Sequence, residues 1–434
     1  MNPIINHHLF TERVCDGFIA VNPLIPKGIA LINKIQHSVL MSCDGKHPIE
    51  EIAVSNNLST PETIGIIGRF LEKEFVSIGA NFTFPEMQSP RSLNLWIHTT
   101  NKCTLRCTYC QVHKEQSFMT EETFQALMSK LVESAKKDNL SKITLRFAGG
   151  EPMMQFKLLS KYIPVLRNQL EKVGCNLRFA FLTNLTILNR EILQFIKENK
   201  CGISVSLDGQ DSFHDKTRVF RGGGGSFKLV RNNLNTLLNS GIKPFILTVV
   251  SEDNLDGLVD HTNFLLDHDL SFRYSFVREK HISNKEEMTS VLLDCYSVIE
   301  KKVLQGYKFT KKHKLCDTNI TNPGIQVCGA GRGSFAVYTD GTLHTCFTML
   351  DQKKPFGSLY SSNDMLSLSI NQDVIPDLHN NNCGGCQYEY ICAGGCPIDR
   401  INGRSPYCDV FKALIPRVYQ LIGLERLYNL THKE

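Results

Sequence analysis

The sequence predicts an α/β fold: a partial (β/α)6, TIM-like barrel, preceded by a small winged-helix domain and followed by a cysteine-rich domain. Strand-like and helix-like stretches alternate from residue 92 to about 300, which is typical of βα units with parallel strands. The first 90 residues show a shorter pattern of one strand and three helices, and cysteines concentrate in the last third. We therefore predict three domains, at residues 1–90, 91–305 and 306–434.

Composition narrows the possible classes of protein. The chain has 434 residues, of which 42% are hydrophobic and 21% charged, and a formal charge of +5 without long runs of like charge. These values are ordinary for a soluble globular protein and predict neither nucleic acid nor membrane as a partner. The first residues lack the features of a signal peptide, so we expect a cytoplasmic protein. In a reducing compartment, sixteen cysteines favour metal ligation over disulfides.

The N-terminal region is predicted to contain a strand at Phe18–Val21 and a helix over Gly28–Met41, where apolar residues follow a helical spacing. A second helix begins at Pro48, and a third begins after its N-cap, Ser59. A terminal hairpin containing residues 76–79 completes a winged-helix pattern. A DNA-binding winged helix is one interpretation, but the third helix has little excess positive charge for phosphate contacts.

The barrel region contains six predicted strands. Polar or glycine residues follow several of them, including Gly149, Gly150 and Glu151 after the second strand, and Asn184 after the third. The carboxyl ends of the strands are where α/β barrels carry their sites. The predicted strands are 92–98, 143–147, 177–182, 202–207, 243–250 and 271–276.

Three cysteines in a short loop follow the first of these strands. Cys103, Cys107 and Cys110 have x3 and x2 spacing. Three thiols cannot complete a four-ligand site, so a metal cluster held here would keep one position open for a small molecule. A structural zinc site, or three unrelated thiols, are the alternatives.

This Cys-x3-Cys-x2-Cys loop, together with the Gly-Gly-Glu-Pro stretch at 149–152, resembles the radical S-adenosylmethionine (radical SAM) superfamily. The resemblance implies that the thiolates hold a 4Fe–4S cluster whose fourth iron binds SAM, and that a 5'-deoxyadenosyl radical abstracts hydrogen from the substrate. Arg218 would pair with the SAM carboxylate, although a surface ion pair is its alternative role. The implied cofactor contacts are Tyr109, Gly149, Gly150, Glu151, Asn184, Ser206 and Arg218.

The last third contains seven cysteines whose spacing resembles the SPASM pattern. A hairpin with an Asp-Gly turn at 340–341 is predicted to bring Cys328 and Cys346, the first two of the seven, together. The resemblance implies two auxiliary 4Fe–4S clusters. Cys316 is the only local candidate for the fourth ligand of the nearer one, and a cluster with an open iron is the alternative. A zinc ribbon is the alternative for part of the series. The implied ligands are Cys328, Cys346 and Cys396 for the nearer cluster, and Cys383, Cys386, Cys392 and Cys408 for the outer one.

The N-terminal region resembles PqqD-like precursor-recognition domains, which take up a leader peptide as an added strand. Together the resemblances imply a maturase that crosslinks a precursor peptide or small protein through a thioether or carbon–carbon bond, with flavodoxin or ferredoxin as electron donor. No catalytic base is predicted. Anaerobic sulfatase-maturating enzymes also resemble this architecture, but they carry an aspartate where this chain has Phe347. A non-catalytic iron–sulfur protein would not need Glu151 and Arg218 at strand ends.

Overall fold

The computed structural model describes residues 2–25, 28–79, 91–278, 284–320, 327–352, 354–361, 364–369 and 382–432. The chain forms two compact units. The first comprises residues 1–87, 279–327 and 377–434, and the second comprises residues 88–278 and 328–376. The predicted boundary at 90/91 falls partly outside the described residues, and the three predicted domains stay a prediction.

The N-terminal part of the first unit has a three-stranded antiparallel sheet followed by three helices. The sheet has the order β2-β3-β4, and a short β1 pairs antiparallel with β5. Buried side chains such as Ile52, Ile67 and Phe70 form the core between the helices and the strands. The elements are β1 Pro3–Ile5, β2 Phe10–Val14, β3 Gly17–Val21, β4 Ile29–Ile32, α1 Lys34–Met41, α2 Ile49–Ser55, α3 Thr60–Glu72 and β5 Val76–Ile78.

The prediction of one helix over Gly28–Met41 was wrong for its first part. Ile29–Ile32 forms β4, which pairs with β3, and the helix begins only after Asn33. Asn33 and Gln36 form a capping box, in which each side chain accepts a hydrogen bond from the other's backbone N–H, at 2.8 and 2.9 Å. Four apolar residues fit a helix or a strand equally well, and a neighbouring strand decides between them. The winged-helix interpretation stays a prediction.

The second unit is built on a parallel sheet. Its first six strands are neighbours in chain order and all parallel, which confirms the predicted succession of βα units. One face of each strand is buried under the helices, as at Leu145 and Phe272. The strands are β6 Ser92–Thr100, β7 Lys142–Gly149, β8 Asn176–Thr183, β9 Gly202–Ser206, β10 Phe245–Val250 and β11 Ser271–Phe276; the helices are α4 Glu121–Lys137, α5 Phe156–Glu171, α6 Arg190–Glu198, α7 Ser212–Asp215, α8 Phe227–Asn239 and α9 Leu258–Asp267.

The C-terminal third contributes to both units. In the second unit, the predicted hairpin is present, with Gly341 at φ +87° in its turn, and its first strand pairs in parallel with β6. In the first unit, the long last helix packs on β2, where the rings of Phe10 and Tyr419 meet edge to face at 5.1 Å. The elements are α10 Lys285–Val303, α11 Phe309–Lys312, β12 His313–Leu315, β13 Ser334–Val337, β14 Thr342–His344, β15 Gly357–Ser358, α12 Met365–Ser369, α13 Glu389–Cys392 and α14 Cys408–Thr431. Among the described helices, none combines the length and the apolar character that a membrane crossing requires.

Candidate functional site

The three-cysteine loop lies over the carboxyl ends of the parallel strands. It leaves β6 after Thr100 and is held by backbone hydrogen bonds to two other segments of the second unit. The N–H of Glu151 donates to the carbonyl of Lys102 at 2.8 Å, and the N–H of Arg106 donates to the carbonyl of Val219 at 2.8 Å. The geometry of the loop therefore depends on two other segments: the residues that follow β7, and the chain segment between β9 and α8.

Gly149 and Gly150 allow β7 to approach this loop closely. Gly149 has φ +133°, and a Cβ there would lie 2.4 Å from the carbonyl oxygen of Thr100. A Cβ on Gly150 would lie 2.1 Å from the carbonyl oxygen of Lys102. Such distances exclude any side chain, so both glycines are required for packing of the loop. Their contact with a cofactor stays a prediction.

Each of the three sulfurs has a nitrogen donor nearby. Cys103 Sγ accepts from the side-chain amide of Asn184 at 3.4 Å, and Cys110 Sγ accepts from Lys114 Nζ at 3.0 Å. Arg218 Nη1 points toward Cys107 Sγ at 3.8 Å. Two of these donors are cationic, and donors of this kind stabilise thiolates, the form in which cysteine binds metal. The donor set therefore fits an iron–sulfur cluster.

Burial works against ionisation of the free thiols. It raises the pKa of Cys103 and raises that of Cys107 to about 11, although the charge of Arg218 acts in the opposite direction at Cys107. The charges of the neighbouring cysteines also act to raise the pKa of Cys103 and Cys107. Metal binding at this loop must therefore release protons.

Arg218 is held by a residue that the sequence analysis did not select, Asp208. Its Nε and Nη2 donate to the Asp208 carboxylate at 2.7 and 3.3 Å, and the hydroxyl of Tyr109 donates to the same carboxylate. Burial acts to raise the pKa of Asp208, but the charge and hydrogen bonds of Arg218 outweigh it and the net shift is downward. Arg218 is thus part of a buried ion pair, with Nη1 toward Cys107. The signal in the sequence was an acid directly after the fourth strand.

Glu151 joins the ends of two neighbouring strands. Its buried carboxylate accepts hydrogen bonds from Thr183 Oγ1 and the N–H of Asn184, both at 2.8 Å, and from the N–H of Met153 at 3.1 Å. Burial raises the pKa of Glu151 to about 7, although these hydrogen bonds act to lower it. Ser206, at the end of β9, is half-buried, and its hydroxyl has no hydrogen-bond partner in the part of the chain that the structure describes.

Four of the predicted auxiliary ligands surround one pocket in the first unit, where Arg404 and Lys412 also line the wall. Burial raises the pKa of Cys392 to about 12, and the neighbouring thiols add to this increase. Cationic side chains near these thiols would stabilise a negatively charged cluster. The four thiols are Cys383, Cys386, Cys392 and Cys408.

The remaining predicted ligands are divided between the two units. Cys316 and Cys396 belong to the first, whereas Cys328 and Cys346 belong to the second. The ligand set of the nearer cluster therefore stays a prediction. Over the described ranges, no group of three or more histidine, cysteine, aspartate or glutamate side chains is arranged around a point suitable for a single metal ion.

The parallel sheet and the loop at its carboxyl edge define an α/β protein with a radical SAM domain, and residues 97–265 match the sequence profile of the radical SAM superfamily. The chain therefore contains a radical SAM domain, and domains of that superfamily use a 4Fe–4S cluster and SAM. Over 365 residues it is 25% identical to the cysteine-type anaerobic sulfatase-maturating enzyme of Clostridium novyi, a match that covers 75% of this chain and 95% of the relative.

Two solved structures share the fold. The structure of anSMEcpe with bound AdoMet and a peptide superposes with a TM-score of 0.65 at 20% identity, over 77% of this chain and 99% of that chain. Streptococcus suis SuiB bound to its precursor peptide SuiA superposes with a TM-score of 0.54 at 14% identity, over 94% of this chain and 99% of that chain. The α/β radical SAM fold with a mostly parallel sheet is therefore confirmed.

Proposed function

We propose that this enzyme modifies a ribosomally synthesised precursor peptide by abstracting a hydrogen atom, and that a thioether or carbon–carbon crosslink follows. The observation that carries the proposal is the set of nitrogen donors around the thiols of Cys103, Cys107 and Cys110, at the carboxyl edge of the parallel sheet. These three residues would hold the 4Fe–4S cluster. When bound, the cluster and SAM supply the 5'-deoxyadenosyl radical.

The surrounding residues position the loop and its ligands. The Asp208–Arg218 pair holds one guanidinium N–H toward Cys107, and Tyr109 is fixed by its hydrogen bond to Asp208. Ser206 offers a hydroxyl without a partner among the described residues, which suits a polar group of SAM. Glu151 fixes the two strand ends that carry the Gly-Gly turn and Asn184. A buried network of this kind keeps the site rigid and excludes water.

A peptide substrate is supported by the N-terminal sheet. In the described residues β4 is an edge strand, and uptake of a leader peptide as an added strand requires such an edge. SuiB, whose solved complex contains the precursor peptide SuiA, aligns with 94% of this chain, whereas anSMEcpe aligns with 77%. We infer that the N-terminal region is a PqqD-like recognition domain.

The cysteine-rich segments would form a SPASM domain. The pocket formed by Cys383, Cys386, Cys392 and Cys408 fits an outer 4Fe–4S cluster, because four thiols and two cationic side chains line it. The nearer cluster would take Cys328, Cys346 and Cys396, with Cys316 as a candidate fourth ligand. Auxiliary clusters would accept the electron released when the substrate radical is oxidised, and flavodoxin or ferredoxin would reduce the SAM cluster.

Formylglycine formation is the second candidate function, because a sulfatase-maturating enzyme shares 25% identity with this chain over 365 residues. Phe347 disfavours it. This residue occupies the position after Cys346 at which those enzymes carry an aspartate, and its ring stacks on Trp96 at 4.2 Å. An aromatic ring cannot accept the proton that such an aspartate would take.

The test is anaerobic reconstitution followed by iron counting and a dithionite-driven assay for 5'-deoxyadenosine. We expect about eight to twelve irons per chain, and release that is lost when alanine replaces Cys103, Cys107 and Cys110 together. Cys295→Ala, which removes a buried thiol of α10, is the matched control. Bound zinc with few irons and no 5'-deoxyadenosine would refute the proposal. Mass spectrometry of candidate precursor and sulfatase peptides then separates crosslink formation from conversion to formylglycine.

A further inference from the structure

A side chain of the last helix reaches the open edge of the N-terminal sheet. Within the first unit, α14 packs on β2 and β3. From α14, Nη1 of Arg426 donates to the carbonyl oxygen of Ile29, the first residue of β4, at 2.7 Å. Arg426 is partly buried at this position. The edge strand that would receive a leader peptide therefore carries a guanidinium group at one end.

The register of the sheet shows that the Ile29 carbonyl points away from β3. Ile29 lies opposite Val21 on β3. In the adjacent pair, the N–H of Asn22 donates to the carbonyl of Gly28 at 2.6 Å. Because opposite pairs alternate between hydrogen-bonded and non-hydrogen-bonded along an antiparallel ladder, the N–H and C=O groups of Ile29 and Leu31 point toward the open edge. An added strand would pair with these groups.

Arg426 approaches from the same face of the sheet to which the Ile29 side chain points. Ala30 and Ile32 pack with the N-terminal helices, so Ile29 points to the opposite face. The helix α14 lies on that opposite face, because Phe10, in the same cross-strand row as Ile29, contacts Tyr419 of α14 with ring centroids 5.1 Å apart. Directly opposite residues of paired strands project to one face. In an added strand, a side chain opposite Ile29 would therefore lie beside Arg426.

The guanidinium of Arg426 has donors that the described residues do not use. It carries several N–H groups in a fixed fork, and within the described ranges the Ile29 carbonyl is its only hydrogen-bond acceptor. The carboxylate of the adjacent Glu425 is directed elsewhere, since it is buried and accepts from the N–H of Thr310 at 2.9 Å. The remaining N–H groups of Arg426 are therefore available to a ligand at the strand edge.

We propose that Arg426 selects a precursor peptide whose added strand carries an aspartate or glutamate opposite Ile29. This inference rests on the proposed function, in which the N-terminal region takes up a leader peptide. An N–H of the incoming strand would replace Arg426 as the donor to the Ile29 carbonyl. The released guanidinium would then pair with the peptide carboxylate, whose geometry its fork matches. A peptide with a neutral side chain at that position would gain no such pair and would bind more weakly.

The experiment uses the full-length, anaerobically reconstituted protein and two acetylated, amidated random peptide libraries that differ only in a central aspartate or asparagine. We expect wild type to enrich the aspartate library on the order of tenfold. Arg426→Gln should lose this preference. Arg13→Gln, which removes an exposed arginine from β2 at the other edge of the same sheet, should retain it. Arg426→Glu should prefer a library with a central lysine, a gain that an unfolded variant cannot show.

Hydrogen exchange then locates the bound peptide. For a peptide taken from the enriched aspartate library, the N–H groups of Ile29 and Leu31 should exchange more slowly in the complex than in the free protein, because an added strand would cover them. The N–H of Ala30, which pairs with β3, should change little.

Equal recovery of the two libraries by wild type, including recovery of neither, would overturn the inference, as would an acidic preference that persists in Arg426→Gln. Unchanged exchange at β4 in the complex would also overturn it and assign the acidic preference to another surface. Library binding does not require turnover. Failure of the proposed function, seen as absence of 5'-deoxyadenosine from wild type, is therefore distinguishable from failure of this inference.

Discussion

Asp208→Asn tests whether the buried ion pair beneath the three-cysteine loop determines the stability of the second unit. The Asp208 side chain is fully buried, that of Arg218 is 8% exposed, and Nε lies 2.7 Å from the carboxylate. The same carboxylate accepts from Thr217 Oγ1 at 3.2 Å and from the N–H of Val249 at 3.0 Å. Asparagine has the same shape but leaves the guanidinium without a counter-charge.

The expected cost is about 3–5 kcal/mol, the range for breaking a buried pair by removing one partner. Lys243→Gln is the matched control, because Lys243 pairs with Asp269 at a similar distance, 2.8 Å, while both side chains are about half exposed. Removal of an exposed pair should cost at most about 1 kcal/mol. The net pKa shift of Asp208 is downward, so its contribution is present above the ordinary aspartate range and is lost as the pH falls through the lowered pKa.

Urea unfolding followed by tryptophan fluorescence measures this difference directly. Trp96 is the only tryptophan in the sequence and lies on β6 of the same unit, so its emission reports on that unit. A free energy of unfolding for Asp208→Asn within about 1 kcal/mol of wild type, like the control, would refute the assignment of a buried, coupled pair. The difference between wild type and variant should also decrease in acid.

Three further predictions concern the clusters and Glu151. Lys114→Met should lower the reduction potential of the SAM cluster, because it removes a cationic donor 3.0 Å from Cys110 Sγ. The expected decrease is roughly 60 mV, which is a tenfold change in the one-electron equilibrium. EPR-monitored potentiometry measures this potential. Burial raises the pKa of Glu151 to about 7, so the free energy of unfolding should fall by roughly 3 kcal/mol as the pH rises from 4.5 to about 7. In urea titrations, Glu151→Gln should abolish this dependence of the free energy of unfolding on pH. Iron should fall by about four per chain, relative to Cys295→Ala, when alanine replaces the four thiols of the pocket, Cys383, Cys386, Cys392 and Cys408.

Each of these predictions has a contrary result. A potential for Lys114→Met equal to that of Lys102→Met, which removes a lysine that lies over the ring of Phe118, would show that Lys114 does not act on the cluster. Equal pH slopes for wild type and Glu151→Gln would contradict the raised pKa. Unchanged iron in the four-alanine variant would leave the pocket without a cluster.

The succession of parallel strands could be predicted because each strand is a short apolar run with a polar or glycine end. The hairpin after Val337 could be predicted from its Asp-Gly turn. The strand Ile29–Ile32 could not, because four apolar residues are compatible with either a helix or a strand. Asp208 was not selected, because its partner Arg218 is recognised only when both side chains are placed.

The sequence by itself determined the chemistry available to this protein. The spacing of Cys103, Cys107 and Cys110 sets which thiols can share a ligand, since ligands on one short loop stay close in any fold. The tertiary structure alone decided what surrounds them. Cys103 and Asn184 are 81 positions apart in the chain, yet the side-chain amide of Asn184 lies 3.4 Å from Cys103 Sγ because strand ends meet at one edge of the sheet. Such proximity arises from packing between distant segments, on which local patterns carry no information.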